Sequence, residues 1–166
     1  TFNNVPNLAV PQDTLVVYAI ARDLAGAALG QASPGNYLFN GTPTANFSNA
    51  VTNRGQGDQS LDFAPWGGVI AVDVKNSSGV PRNWHYDLGV EPAGNDYDFY
   101  TVVTHELAHL FGFGVSNAFS TDVSNNAFIG ANAQALYGGS VPLASGQHWA
   151  SNVTSPPFLP GTQPKP

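Results

Sequence analysis

The sequence contains no cysteine, no methionine and few charged side chains among its 166 residues. Without cysteine the chain has no disulfide framework and no thiolate to offer a metal ion. Five Lys or Arg residues stand against 11 Asp or Glu residues, which gives a net charge of −6. Such an acidic chain lacks the basic surface that attracts nucleic acids and anionic membranes. We therefore expect no nucleic-acid partner.

Long apolar runs are also missing. No segment approaches the roughly 20 consecutive apolar residues that a membrane-spanning helix needs, so we expect no membrane insertion. The chain begins at Thr1 rather than Met, without a signal-peptide pattern, which predicts a processed or excised piece. Its length predicts a single domain over residues 1–166, either whole or truncated at one or both ends. We expect a monomer.

Glycine and proline are abundant, with 18 and 13 copies, and predict many turns. Two β-branched apolar segments, residues 13–22 and 63–74, predict buried strands. Residues 113–147 are rich in Asn, Ser, Ala and Gly and are expected to be mostly irregular, with a helix allowed over residues 127–137. Together these patterns predict an α+β fold with a mixed sheet and a loop-rich C-terminal part.

Residues 105–109, with the sequence HELAH, match the motif H-E-x-x-H, which indicates a specific chemistry. On a helix, His105 and His109 lie one above the other and can reach one metal ion. Glu106 can hold a water molecule beside that ion and accept its proton. This pattern is typical of a zinc peptidase, whereas two packed or solvated histidines on a plain helix are the structural alternative.

The helix that carries this motif has clear end signals. Asn95 or Asp96 is a suitable N-cap, and Asp98 would favour the first turn electrostatically. Gly112 fits the position just after the helix, where a positive φ is needed. The sequence therefore predicts a helix that ends shortly after the second motif histidine.

A catalytic zinc site usually has three protein ligands, so one more is expected. No Glu follows the motif, which excludes a downstream glutamate. Asp122 is the only later Asp and His148 the only later His, and His85 lies upstream. We favour His148, which lies in a turn-like stretch, although a surface histidine stacked on Trp149 is the structural alternative for it.

Residues 105–112 resemble the metzincin peptidases, whose motif is H-E-x-x-H-x-x-G-x-x-H/D. The last position of that motif corresponds here to Val115, which cannot bind metal. His148 instead resembles the displaced third histidine of the leishmanolysin-like branch, with residues 113–147 between it and Gly112. Upstream, residues 15–19, the turn at 29–35 (LGQASPG) and an edge strand at 66–73 are similar to matrixin-type bacterial secreted peptidases.

The resemblance implies a metzincin-like zincin domain, a polypeptide substrate bound along the edge around residues 68–72, and secretion from a bacterium. It implies Zn²⁺ held by His105, His109 and His148, with Glu106 as general base. The family also places a methionine beneath the zinc; this chain has none, and Phe158 or Leu159 would have to take its place.

From these observations we expect a zinc-dependent endopeptidase. Calcium is a second candidate ion, because several loop carboxylates could supply oxygen ligands: Asp58, Asp62, Asp73, Asp96 and Asp98. The alternative is a non-catalytic secreted binding or surface module that retains a zinc site, for which exposed tryptophans would suit a carbohydrate or cell-surface partner.

Overall fold

The computed structural model describes residues 9–11, 13–37, 41–46, 48 and 63–153. The fold mixes helix and sheet, with 21% helix and 28% strand, which is compatible with the predicted α+β class. None of the helices in this part of the chain has the length and apolar character needed to cross a bilayer.

The main sheet has three strands, β1 (Val16–Arg22), β2 (Gly30–Pro34) and β3 (Gly67–Asp73), in the order β1-β3-β2. β1 runs parallel to β3, whereas β2 runs antiparallel to it, so the sheet is mixed as predicted. Both strands expected from their apolar content are present as β1 and β3, but only β3 is buried as expected, since no residue of β1 is buried. β3 is the most buried strand because it has a neighbour on each side.

The edge of this sheet differs from the sequence expectation. Residues 29–35 were expected to form a turn and residues 66–73 an edge strand, but residues 30–34 pair with β3 and form the edge themselves. Pro34 fits this position because it has no N–H to offer a further strand. β3 cannot receive an added strand around residues 68–72, because β1 and β2 already occupy both of its sides.

Helix α1 (Phe99–Leu110) packs across the main sheet and carries the H-E-x-x-H motif. Its N-cap is Asp98, whose side chain accepts a hydrogen bond from the N–H of Thr101, rather than the predicted Asn95 or Asp96. Leu110 is fully buried and lies against β3, where a Cβ added to Gly68 would be 3.1 Å from Leu110 Cγ. Glycine at that position therefore allows the helix to approach the sheet closely.

A short two-stranded element, β4 (Trp84–His85) and β5 (Tyr97–Asp98), leads into α1. It is joined to the main sheet by Arg82, whose Nε lies 2.7 Å from Asp73 Oδ2 in a buried ion pair. The indole N–H of Trp84 donates to the Asp73 carbonyl oxygen at 2.8 Å. These contacts fix the start of the helix relative to the sheet.

Residues 113–147 are expected from the sequence to be mostly irregular, but short regular elements occupy much of this segment and continue to residue 149. These are α2 (Asn117–Thr121), β6 (Val123–Ser124), β7 (Ala127–Phe128), α3 (Ala131–Tyr137), β8 (Val141–Ala144) and β9 (His148–Trp149). The four strands form one antiparallel sheet in chain order. The helix allowed over residues 127–137 is confirmed only from residue 131, because residues 127 and 128 pair in this sheet.

Candidate metal centre

The helix brings the first two candidate ligands together. His105 and His109 lie one turn apart on α1, and their Nε2 atoms are 3.1 Å apart. His109 is buried, whereas His105 is exposed. This is the arrangement that the i, i+4 spacing predicts.

The chain turns sharply after the helix. Phe111 is the C-cap, Gly112 follows with a φ of +99°, and the N–H of Phe113 donates to the carbonyl oxygen of Ala108. The predicted glycine stop is therefore confirmed. A side chain at Gly112 would also overlap the ring of Phe63.

His148 reaches the same place from β9. Its Nε2 lies 3.0 Å from the Nε2 of His109, and its ring stacks on the ring of His105 at 5.3 Å between centroids. The three histidines form the one group of three or more metal-ligating side chains found among the described residues. His148 therefore joins the motif histidines rather than stacking on Trp149.

The tautomer of His109 follows from its second nitrogen. Nδ1 lies 2.9 Å from the carbonyl oxygen of Phe113, and a carbonyl can only accept, so Nδ1 carries the proton. The Nε2 lone pair is then free and points at the other two histidines. Histidine ligands are commonly oriented in this way, by donating the second ring N–H to a backbone carbonyl.

The donor set fits a zinc ion. Zinc binds imidazole nitrogens at about 2.0–2.1 Å in tetrahedral geometry, which puts neighbouring nitrogens about 3.3 Å apart. The Nε2 atom of His109 lies 3.1 Å from that of His105 and 3.0 Å from that of His148, and both separations are close to that value. Three imidazoles leave a fourth position open, as a catalytic site requires.

The electrostatics of the cluster favour the neutral form of the His105 and His148 rings. Partial desolvation of its ring lowers the pKa of His105, although the residue is exposed overall, and the neighbouring His109 and His148 lower it further. Partial desolvation also lowers the pKa of His148, which is likewise exposed overall, with a further contribution from His109. Neutral imidazoles are the form that binds metal, because a protonated ring has no free lone pair.

Glu106 lies buried beside this cluster with a relative exposure of 6%. Burial raises the pKa of its carboxyl group, against the opposing effects of His109 and of the hydrogen bond that the Ala32 N–H donates to it. Its side chain packs on the backbone of Gly30, where an added Cβ would lie 2.6 Å from Oε1. The edge strand β2 thus holds the carboxylate from one side.

A cleft of about 640 Å³ runs between β2 and the turn before β9. Glu106, His109 and His148 line it together, with Arg22 and Gln31 from the sheet and Gln147 from the turn. The carboxylate and two of the three imidazoles therefore face one open space, large enough for a segment of a ligand.

The chain matches no known protein family, no curated protein and no solved structure in the comparisons made with each of them.

The other candidate ligands lie elsewhere. The Nε2 of His85 donates to the carbonyl oxygens of Asp87 and Val90 at 2.7 and 2.8 Å. These two hydrogen bonds, first that to Asp87, raise the pKa of His85. Neither His85 nor Asp122 belongs to the histidine group.

The calcium candidates that lie among the described residues, Asp73, Asp96 and Asp98, do not assemble either. Asp73 pairs with Arg82, Asp96 accepts from Asn83, and Asp98 caps α1. No cluster of acidic ligands is found in the described segments. Asp58, Asp62, Phe158 and Leu159 lie outside the described residues.

Three contributors to the site were missed in the sequence. Phe113 acts through its carbonyl oxygen, and Ala32 through its N–H, so their side chains give no signal. Gly30 leaves room for Glu106. Recognising residues 29–35 as a strand at the sheet edge would have indicated Gly30 and Ala32.

Proposed function

We propose that this protein is a zinc-dependent endopeptidase. The observation that carries the proposal is the convergence of three imidazole nitrogens beside a buried carboxylate, with that carboxylate and two of the imidazoles lining one open cleft. A site that only held a structural ion would have no use for Glu106, whereas peptide hydrolysis needs a base at this position.

His105, His109 and His148 would hold the zinc. When bound, zinc supplies a Lewis acid that polarises the scissile carbonyl group and lowers the pKa of a water molecule toward about 7. Glu106 accepts the proton of that water and transfers it to the leaving amine. Its raised pKa brings the carboxylate closer to the pH at which such a transfer is efficient.

The free edge of β2 offers a place for the substrate backbone. The Leu29 carbonyl oxygen accepts from Asp73 N–H, and the Gly35 N–H donates to the Gly67 carbonyl oxygen. In this antiparallel register residues 31 and 33 also direct their N–H and C=O groups toward β3. The backbone groups of Gly30 and Ala32 therefore point to the cleft. A peptide added along this edge would run past Glu106. It would take main-chain hydrogen bonds from the backbone groups of Gly30 and the carbonyl oxygen of Ala32, because the Ala32 N–H already donates to Glu106. This replaces the edge around residues 68–72 expected from the sequence.

The resemblance to metzincins also supports a zinc-dependent endopeptidase, with His148 as a displaced third ligand and Gly112 at the end of the helix. The methionine of that family is absent, and the rings of Phe113 and Trp149 pack together next to the ligands instead. A secreted bacterial peptidase that acts on polypeptides is the function in keeping with that resemblance.

A second candidate is a non-catalytic secreted module that keeps the zinc for structure. An aromatic surface favours it, because Tyr86 and Tyr100 are exposed beside Phe99 at the start of α1. Exposed tyrosines of this kind suit a carbohydrate or protein partner. The position of Glu106 in the cleft favours the peptidase.

The decisive variant is Glu106→Gln, with Glu91→Gln as its matched control, because Glu91 is the only other glutamate and is exposed. Zinc content and cleavage of a denatured protein are measured with and without a chelator. We expect both variants to keep zinc, Glu106→Gln to lose activity by about 10²–10⁴-fold or more, and Glu91→Gln to remain active. Zinc without chelator-sensitive cleavage in the unchanged protein would favour the module, and full activity of Glu106→Gln would remove Glu106 from the mechanism.

A further inference from the structure

His148 lies 39 residues after His109 and still comes within 3.0 Å of it. Such a distant ligand must be held in place by something other than the helix. The residues on either side of His148 contact residues 113 and 114, which directly follow the turn at Gly112.

Gly114 makes the closest of these contacts. It has a φ of +74°, and a Cβ added to it would overlap the carbonyl oxygen of Gln147 and lie 3.2 Å from the carbonyl carbon and 3.3 Å from Cα of that residue. Gln147 immediately precedes His148. The absence of a side chain at position 114 therefore allows the two backbone segments to touch.

Phe113 provides a second contact, on the other side of His148. Its ring lies 4.8 Å from the ring of Trp149, and Phe128 packs on the same tryptophan at 5.8 Å. The Phe113 carbonyl oxygen also accepts the hydrogen bond from His109 Nδ1. Residues 113 and 114 thus touch both His109 and the residues that flank His148.

From these contacts we infer that Gly114 is a positioning residue for the third metal ligand. Gly114 sets how closely the segment of His148 approaches α1. The contact between Phe113 and Trp149 holds the same segment from the other side of His148. The inference rests on the proposed zinc site and adds the feature that completes it. A side chain at position 114 would push Gln147 away and would carry His148 with it.

A glycine with positive φ could also be needed for the turn alone, and Gly79 separates the two explanations. Its φ of +78° nearly equals that of Gly114, but nothing lies within 4 Å of a Cβ added there. Gly79→Ala therefore imposes the same backbone strain without displacing a neighbour. Gly114→Ala imposes both.

The experiment compares the unchanged protein, Gly114→Ala and Gly79→Ala. Zinc affinity is measured by competition with a chromogenic chelator, and the visible spectrum of the Co²⁺-loaded proteins reports the coordination number. We expect Gly114→Ala to lose about 10–100-fold in zinc affinity, as for other residues that orient ligands, and to change the cobalt spectrum. Gly79→Ala should match the unchanged protein in both. Equal affinity of the two variants would overturn the inference.

A metal-free readout separates this inference from the proposed function. In the chelated protein, NMR cross-relaxation between the rings of His148 and His109, whose centroids are 4.7 Å apart, should be present in the unchanged protein and lost in Gly114→Ala. Failure of the unchanged protein to bind zinc would overturn the metal site, whereas persistence of the ring contact in Gly114→Ala would overturn only the role of Gly114.

Should Gly114→Ala fail to fold, the Trp149 contact provides the second test. Trp149→Leu removes the ring that packs on Phe113, and Trp149→Phe keeps an aromatic ring there. We expect Trp149→Leu to bind zinc more weakly and Trp149→Phe to retain most of the affinity. Equal and undiminished affinity in both would contradict the inference.

Discussion

The Nδ1 atom of His109 lies 2.9 Å from the carbonyl oxygen of Phe113, four residues further along the chain. This contact links a proposed metal ligand on the helix to the turn that follows it, and it leaves the Nε2 lone pair of His109 facing His105 and His148. The ring orientation is therefore set by the backbone before any ion binds.

The first prediction concerns that tautomer. In the metal-free protein, the neutral ring of His109 should carry its proton on Nδ1, because the Phe113 carbonyl oxygen can only accept. Nitrogen chemical shifts of selectively labelled histidine distinguish the two tautomers. A neutral His109 with its proton on Nε2 would contradict the proposed orientation.

Leu110 anchors the motif helix to the sheet. It is fully buried against Gly68, and Leu110→Ala should reduce the free energy of unfolding by about 3 kcal/mol, since the cavity adds to the lost burial. Phe111→Ala is the control, because that side chain is 52% exposed. Denaturant unfolding must be measured with chelator present, since a bound ion would stabilise the folded state. Equal losses in the two variants would contradict this packing.

Asp73 and Arg82 should govern part of the stability in acid. Burial raises the pKa of Asp73, but the Leu24 N–H and Arg82 outweigh it and hold the pKa below its usual value. The stabilisation is present above the unfolded pKa of about 3.9 and is lost as pH falls through the lower folded value. Asp73→Asn should be less stable at neutral pH and should lack this part of the acid transition.

Asp23→Asn is the matched control for that prediction, because Asp23 pairs with Lys75 in an exposed ion pair that contributes little to stability. Unfolding is followed between neutral pH and strong acid. An acid transition unchanged by Asp73→Asn would assign the pH dependence to other groups.

Arg22 should influence substrate choice. Its Nη2 donates to Gln31 Oε1 at 2.7 Å, and it lines the cleft. Among the described cations, Lys75 and Arg82 each pair with a carboxylate and Arg22 does not. Peptides with Glu at the position that reaches Arg22 should be cleaved about two- to fivefold faster than those with Gln.

A peptide library scanned with Glu or Gln at each position measures this preference. Arg22→Gln should abolish it, and Arg22→Lys, which keeps the charge, should retain most of it. Equal cleavage rates for the Glu and Gln peptides in the unchanged protein would show that Arg22 takes no part in substrate recognition.

The motif helix was predictable because its signals are local. The spacing of His105 and His109 and the stop at Gly112 both act within a few residues. His148 was predictable as a candidate because few other ligand types follow the motif. Its actual arrival depends on contacts with residues 113 and 114, which no local pattern encodes.

The edge strand and the C-terminal sheet were not predictable for a different reason. Residues 30–34 contain Gly and Pro, and they form a strand only because β3 pairs with them. Strands of two residues, such as β7 and β9, are shorter than any periodic pattern that sequence reasoning uses. Two of these strands carry rings of an aromatic cluster that also contains residues from outside the sheet: Phe113, Phe119, Phe128 and Trp149.

X-ray absorption at the zinc edge of the zinc-loaded protein tests the central claim most directly. Three imidazole nitrogens at about 2.0–2.1 Å and one further oxygen are expected in the unchanged protein and in His85→Ala, and two imidazoles in His148→Ala. A protein that takes up no stoichiometric zinc, or a His148→Ala variant that keeps three imidazoles, would contradict the assignment of His105, His109 and His148 as the metal site.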